Sequence, residues 1–375
     1  MIMKNLVVIV LLVLLPILLQ AQENDSTRFN FNAYYISDIG RNFTGGIKTD
    51  NFYIGLVNLS LNIKLFKNGE FFIQAQNTHG NTPSRDIVGD LQVFSNIENG
   101  NHTYLYSVLY KQTFRNLTAT IGIHDLNSEF LNSECGGFFL NSSFGIQPNI
   151  SWNMPVSIFP KNALGLVFKY QLTNNISIQN AIYDGNPGDL EDDKYNIEHS
   201  IKPKEEGILN VSEFKYHHFK SETRQSCFKL GAVYHSAKFI DYNDSTLKNG
   251  NFGLYFITEQ MVNANNRIFA QIGWSPSNKN VNSYYGSLGY SFTNLGRKKE
   301  NIAGLAVSYA NYNKIYDNNS YNMGCYETAL EAFYRFQINP YISLQPDVQY
   351  IINPGACSGL ANAFVGFLRL TIGVF

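Results

Sequence analysis

The feature that most constrains this chain is a period of two, sustained over segment after segment with no helix between them. In one stretch Tyr53, Val57, Leu59, Leu61, Ile63 and Leu65 occupy one parity, and Asn58, Ser60, Asn62 and Lys64 the other. The pattern returns with Phe71, Ile73 and Ala75 against Glu70, Gln74 and Gln76, and with Leu117, Ala119, Ile121 and Ile123 against Thr118, Thr120 and His124. It returns again with Leu164, Leu166, Phe168 and Tyr170 against Lys169 and Gln171, and with Ile342, Leu344, Val348 and Tyr350 against Ser343, Gln345, Asp347 and Gln349. Alternation at this spacing puts apolar side chains on one face of a strand and polar ones on the other. Strands of about 9–11 residues with one lipid face and one aqueous face are what a transmembrane barrel needs.

Marked this way, strands fall near 28–39, 52–66, 69–79, 102–115, 117–124, 163–172, 175–183, 208–219, 226–237, 251–262, 266–275, 283–293, 300–310, 324–337, 341–352 and 363–375. That is about sixteen, an even number, as bacterial barrels have. The connections alternate long and short throughout, from 40–51 (long) and 67–68 (short) to 353–362 (long). Short turns belong to the periplasmic side and long loops to the outside. The expected fold is all-β: a closed, up-and-down antiparallel transmembrane barrel, closed because an open sheet edge in hydrocarbon leaves backbone groups unpaired.

The N-terminus predicts export. Lys4 supplies a positive start, Leu6 to Leu19 is nearly all apolar, and Ala21 is a small residue at a cleavage position. Residues 1–21 are expected to be a secretory signal peptide and 22–375 the barrel domain. Past residue 22 every apolar stretch is soon broken by Asn, Gln, Ser or Lys, so no spanning helix is expected. A formal net charge of −1 gives no reason to expect nucleic acid. At the other end, a terminal aromatic such as Phe375 is a signal for the barrel-assembly machinery. Phe375 lies one step out of phase with the apolar parity Leu368, Leu370, Ile372 and Val374, while Arg369 and Thr371 take the lumenal parity.

Several segments together resemble the carbohydrate-selective porin family (OprB type) of Gram-negative outer membranes. They are GDLQVFSNIE (89–98), IGIHDLNSEF with FFLNSSFG (121–145), IYDGNPGD (182–189), FKLGAVYHS (228–236), NFGLYFITEQ (251–260), and a tail EAFYRFQINPYISLQPDVQYIINPG followed by VGFLRLTIGVF. They occur in family order over nearly the whole mature chain. The resemblance implies a sixteen-stranded barrel, monomer or homotrimer, embedded in outer-membrane lipid and passing small sugars passively without a cofactor. The alternative is a general, non-selective diffusion porin. One departure stands out: LYSVLYKQ (105–112) carries Ser107, Leu109 and Lys111 where the family pattern has Glu, Trp and Glu.

Selective diffusion needs a narrow region whose groups replace water around a solute. The longest loop, 125–162, follows the fifth strand, the usual place of a porin constriction loop. It carries Asp125, Asn127, Glu129, Asn132, Glu134 and Trp152. Carboxylates accept paired hydroxyl hydrogen bonds, amides donate and accept, and an indole face can stack on a pyranose. Asp125 and Asn127 could equally stabilise turns. On the wall, Glu327, Glu331 and Arg335 share one parity, and Asp347, Gln349, Arg369, Lys64 and Lys169 lie on polar parities. All are expected to face the lumen, to contact solute or to pair with one another.

About the tight turn near Pro340, residues whose numbers add to about 680–682 should face one another across the hairpin. Cys325 and Cys357 meet that condition, and an exported chain permits their disulfide. Cys135, in the loop, and Cys227, near a periplasmic turn, are expected to lie too far apart to pair. No cysteine or histidine falls at metal-ligand spacing, so no metal is expected. Catalytic signatures are missing as well: there is no Gly-x-Ser-x-Gly elbow, HExxH, Walker loop or dinucleotide fingerprint. His217 and His218 are adjacent in a strand and point to opposite faces.

Overall fold

The computed structural model describes residues 28–65, 68–221, 224–296, 300–313, 326–356 and 359–374. Residues 1–21, Cys325, Cys357 and Phe375 lie outside the described residues. Sixteen strands form one closed antiparallel barrel in which each strand pairs with its neighbours in sequence and β1 pairs with β16. They are β1 (Phe29–Gly46), β2 (Asn51–Lys64), β3 (Gly69–Gly80), β4 (His102–Phe114), β5 (Leu117–Ile123), β6 (Leu164–Gln171), β7 (Ile176–Asp184) and β8 (Ile208–Ser221). The second half is β9 (Arg224–Asp241), β10 (Thr246–Met261), β11 (Asn266–Trp274), β12 (Asn282–Leu295), β13 (Asn301–Tyr312), β14 (Tyr326–Asn339), β15 (Ile342–Ile352) and β16 (Ala361–Val374). Closure leaves no free edge in the bilayer.

The alternation of side chains explains the two environments. Phe168, Ile182, Phe214, Leu230, Ile272, Leu305, Leu330 and Leu368 are exposed on the outside, where lipid covers them. Aromatic pairs band both ends of that surface. Phe252–Trp274 (5.7 Å) and Tyr309–Tyr326 (5.5 Å) lie toward the long-loop end, Tyr290–Phe292 (4.8 Å) and Tyr334–Phe336 (4.3 Å) toward the short-turn end. These are the interfacial girdles of an outer-membrane barrel. Among the described residues no helix is long and apolar enough to cross a membrane.

The strict alternation of long and short connections does not hold. The outer connections 47–50 and 242–245 are as short as the periplasmic turn 262–265, because the strands they join continue beyond the bilayer as hairpins. β1 has 18 residues, β9 18 and β10 16, against the about 9–11 a crossing requires. The β9–β10 tip is held by Asp241, whose Oδ2 accepts from Lys248 Nζ at 2.9 Å and Asn278 Nδ2 at 2.8 Å.

The apolar core sits inside the barrel. Segment 124–163 turns inward after β5, and Leu126, Phe130, Leu131, Ile150, Met154 and Val156 bury against Val167, Ala181, Tyr183, Leu209, Val211, Val233, Tyr255 and Ile257 on β6–β10. Farther along, Cys135, Phe139 and Phe144 pack on Phe269, Ile302, Ala306 and Phe333. A second segment, 81–101, inserts Ile87, Val88, Phe94 and Ile97 against Phe52, Ile54, Leu56, Ile351, Val365 and Phe367, and Leu140 joins them. Inward residues are therefore often apolar, in the outer half of the barrel and, at Phe269, Ile302 and Phe333, toward the short-turn end as well, a break in the polar-inside rule wherever a loop lies on the wall.

Candidate functional site

Two inserted segments and the wall that holds them define the candidate conduit. Ordering a long loop costs about 1–2 kcal/mol per residue in backbone entropy. Its apolar anchors return roughly 1.5–3 kcal/mol each, which is too little alone. The remainder comes from polar wall residues that bond the loop backbone. Glu331 Oε1 and Oε2 accept from the N–H groups of Leu140 (2.6 Å) and Asn141 (2.9 Å). Glu259 Oε1 accepts from Ser133 Oγ (2.7 Å) and the Cys135 N–H (2.8 Å). Glu213 accepts from the Leu131 N–H (3.3 Å), the Tyr255 hydroxyl (2.8 Å) and Gln179 Nε2 (2.9 Å). Carbonyls are held in the same way. Lys229 Nζ donates to Asn132 O (2.6 Å), Gln271 Nε2 to Phe144 O (2.7 Å) and Gln349 Nε2 to Phe94 O (2.8 Å). A buried carboxylate is tolerable only when bonded, and bonds to a charged acceptor are about twice as strong as neutral ones.

Glu327 does the same for the second segment. It is fully buried, and it accepts from the N–H groups of Leu91 (2.9 Å), Gln92 (2.8 Å) and Gly355 (2.8 Å). The two segments also bond each other: the Asn96 N–H donates to Leu140 O (2.8 Å), and the Ser142 N–H to Val93 O (2.9 Å). Trp152 Nε1 donates to Leu91 O at 2.9 Å, and its ring meets Tyr312 edge-on.

The residues singled out from sequence thus divide by burial. Glu327, Glu331, Asp347, Gln349 and Arg369 face inward but are buried among loop and wall. Trp152 is 44% exposed, Glu134 is exposed, and Glu129 and Arg335 are half-buried. Arg335 carries its guanidinium 5.5 Å from the centre of the Phe138 ring. Asp125 caps a helical turn by accepting from the Asn127 N–H (2.7 Å), and also accepts from the Tyr106 hydroxyl (2.7 Å). Burial pushes its carboxyl up to about 6. In the second segment burial, reinforced by the charge of Asp90, pushes the Glu98 carboxyl up to about 8, although the Ser84 N–H donates to it.

Sequence reasoning missed Glu213, Glu259, Lys229, Gln179 and Gln271, and missed 81–101 as a second inserted segment. Their signal was available: charged or amide residues on the lumenal parity of β7–β11. Ser107, Leu109 and Lys111, the departures from the family pattern, face inward opposite Gln74, Phe72 and Glu70. Cys135 and Cys227 are free thiols that do not pair, and both line one small cavity of about 110 Å³. The inward fold of 124–163 brings Cys135 down to the wall at Glu259, the register partner of Cys227.

The periplasmic halves of β2–β5 contribute no residue to any buried apolar cluster among the described residues. Their inward face carries Asn58, Ser60, Asn62, Gln74, Gln76, Ser107, Thr118 and Thr120 together with Lys64, Glu70, Phe72, Leu109 and Lys111. Gln74 Nε2 and Gln76 Nε2 both donate to Asn58 Oδ1, at 2.5 and 3.2 Å. At the outer end an open cavity of about 450 Å³ lies between the returning limb of 124–163 and residues 186–191. Among the described residues no group of three or more His, Cys, Asp or Glu side chains is arranged to hold a metal ion.

The sequence matches the model of the carbohydrate-selective porin, OprB family, over residues 55–373. It is 23% identical over 402 aligned residues to Porin B of Pseudomonas aeruginosa, covering 91% of this chain and 87% of that protein. The high-pH structure of Pseudomonas putida OprB superposes with a TM-score of 0.82 at 19% identity, over 92% of this chain and 94% of that one. The outer membrane channel DcaP of Acinetobacter baumannii gives a TM-score of 0.55 at 10% identity, over 92% and 97%.

Proposed function

Because this chain belongs to the carbohydrate-selective porin family, whose members are channels of the Gram-negative outer membrane, we propose that monosaccharides cross it by passive diffusion along the amide-bearing wall of β2–β5. The observation that carries this reading is the fixing of two inserted segments by buried wall carboxylates. A loop held through its own backbone keeps a narrow passage without energy input. Glu327, Glu331, Asp347, Gln349 and Arg369 shape that passage from behind. Trp152, Glu129, Glu134 and Arg335 are the residues left to meet solute, with the indole as a platform for the apolar face of a pyranose. Asn62, Gln74 and Thr118 can donate to and accept from sugar hydroxyls in place of water.

Residues 1–21 fit a cleaved export signal and Phe375 an assembly signal, and the barrel is read as a monomer or homotrimer.

Liposome swelling with a graded solute series tests the proposal. Monosaccharides should enter at least about tenfold faster than disaccharides, a discrimination of about 1.4 kcal/mol. They should also outpace non-sugar solutes of equal size, and W152A should reduce that advantage. Rates that follow size alone, whatever the chemistry, would leave a general diffusion porin.

A further inference from the structure

We propose that the cavity at the outer mouth is a capture site for a neutral pyranose, placed ahead of the conduit and distinct from it. The inference rests on the channel reading above and adds a site to it.

The cavity, about 450 Å³, falls within the roughly 300–1,000 Å³ of small-molecule sites. Three stretches enclose it: residues 151–161 of segment 124–163, residues 186–191 of the β7–β8 connection, and Asn99 and His102 where the β3–β4 connection enters β4. Buried bonds hold these stretches together. Lys161 is 6% exposed, and its Nζ donates to Asp189 O at 2.6 Å and pairs with Asp193 Oδ2 at 3.4 Å. Gly188 permits this approach: its φ is +70°, and a Cβ there would lie 3.2 Å from Lys161 Nζ. Farther along, the Leu105 N–H donates to Tyr195 O at 3.0 Å and Asn196 Nδ2 to Leu105 O at 2.9 Å. These bonds tie the β7–β8 connection to the edge of β4 beyond its last pairing with β5. The walls are therefore set before a ligand arrives, which lowers the cost of binding one.

Part of the lining is apolar and includes Phe159, Pro187 and Leu190. The Phe159 ring is half-buried and packs on Tyr106 with ring centres 6.3 Å apart, and Leu190 is buried against Tyr104 and Tyr106. Such a surface suits the C–H face of a pyranose. The rest is polar. His102 Nε2 and Glu191 Oε1 stand 3.9 Å apart, too far for a direct hydrogen bond. A hydroxyl both donates and accepts, so one sugar hydroxyl between them can accept from the imidazole and donate to the carboxylate. The amides of Asn99 and Asn186 line the same cavity and can serve neighbouring hydroxyls. Lys161 is already paired with Asp193, so no lysine is left in the lining to draw an anion, and a neutral polyol fits the groups that remain. A sugar bound at the mouth is poised to enter the conduit, which speeds uptake when sugar is scarce and not when it is abundant.

The test uses the folded, full-length mature barrel, with the folding of each variant checked by heat-modifiable gel mobility. In proteoliposomes the initial rate of labelled glucose uptake should saturate with concentration. H102A should raise the half-saturating concentration about fivefold, and E191A by a smaller factor because that carboxylate is exposed. The rate at saturating glucose should fall by less than about twofold, as for a loss of binding rather than of passage. H102Q, which keeps a donor beside Glu191, should fall nearer wild type. Mannitol, a linear polyol with no ring face, should compete about tenfold more weakly than glucose. Saturation-transfer NMR with the barrel in detergent should show glucose ring protons receiving magnetisation, and H102A/E191A should weaken that transfer. Uptake proportional to glucose at every concentration, or a half-saturation that H102A and E191A leave in place, overturns the capture site and spares the channel reading. Equal competition by mannitol overturns the pyranose. Absence of glucose uptake, with saturation transfer that H102A/E191A weakens, keeps the site and removes the channel reading.

Discussion

Arg369 on the last strand donates Nε and Nη2 to the two carboxylate oxygens of Asp38 on the first, at 2.7 and 2.8 Å, so a buried fork-to-fork ion pair bridges the seam where the barrel closes. Arg369 Nη1 also donates to Asn96 Oδ1 at 2.8 Å, and Ser95 Oγ donates to Asp38 Oδ2 at 2.7 Å. One pair therefore joins β1 to β16 and ties the second inserted segment to that joint. Removing either partner leaves a buried charge uncompensated, a loss of about 3–5 kcal/mol. R369M should lower the unfolding free energy of the barrel, measured by urea titration in lipid vesicles, by that amount. D38L/R369M, which removes both charges, should recover most of it. A double variant as unstable as the single would show that packing, not charge, holds the seam.

Glu331 offers a local test of the loop clasps. Its carboxylate accepts two loop N–H groups, those of Leu140 and Asn141, at the point where the inserted segments bond each other. E331A leaves both buried donors without an acceptor, at about 1–3 kcal/mol each. The barrel wall should survive while the loop loosens. Single-channel recordings should show a raised mean conductance and new flicker between levels, with heat-modifiable gel mobility unchanged. E331Q, which keeps one carbonyl acceptor, should fall between the two.

This division explains how much was legible in the sequence. Parity identifies all sixteen strands because lipid outside and water inside impose opposite demands on neighbouring residues, and nothing overrides that along most of the wall. It fails where the lumen is not watery. Val211, Val233 and Ile257 face inward yet are apolar, since they meet Leu126, Leu131 and Ile150 rather than solvent. Whether Glu327 or Glu331 greets a solute or a loop amide depends on a contact more than 180 residues away in sequence, which no local pattern carries. The hairpin extensions of β9 and β10 escaped for a related reason. Beyond the bilayer both faces meet water, and alternation ceases to mark the strand.

The second inserted segment should tighten in acid. Glu98, half-buried near Asp90, has its carboxyl raised from 4.5 to about 8. A carboxyl raised on folding stabilises the folded state fully below its unfolded pKa, and that stabilisation is lost as pH climbs through the folded value. The window therefore runs from about 4.5 to about 8. Amide exchange within 81–101, corrected for intrinsic rates, should slow on going from pH 8 to pH 5, by on the order of 1–2 kcal/mol in opening free energy for a partly exposed group. E98Q should remove most of this dependence. An E98Q barrel with the full wild-type profile would shift the effect to Asp90, whose carboxyl burial raises to about 6.

The four cysteines should separate into two kinds. Cys135 is buried in the inserted loop, burial pushes its thiol up to about 12, and it should resist maleimide in the folded barrel. Cys227, half-buried beside His217 (Sγ to Nε2 3.9 Å), should react slowly. Cys325 and Cys357 lie outside the described residues, but the register that precedes them is fixed: Thr328 faces Ile352 and Ala329 faces Ile351. The spacing of the two cysteines about the turn near Pro340 predicts facing positions, and an oxidising compartment would form the disulfide between them. Alkylation of the denatured, unreduced protein should therefore label Cys135 and Cys227 alone, and reduction should add Cys325 and Cys357. Labelling of all four without reductant would exclude the bond. A peptide linking Cys135 to Cys227 would mean instead that the shared cavity lets the loop be sealed to β9 by oxidation, in which case C227S should restore wild-type conductance to the oxidised channel.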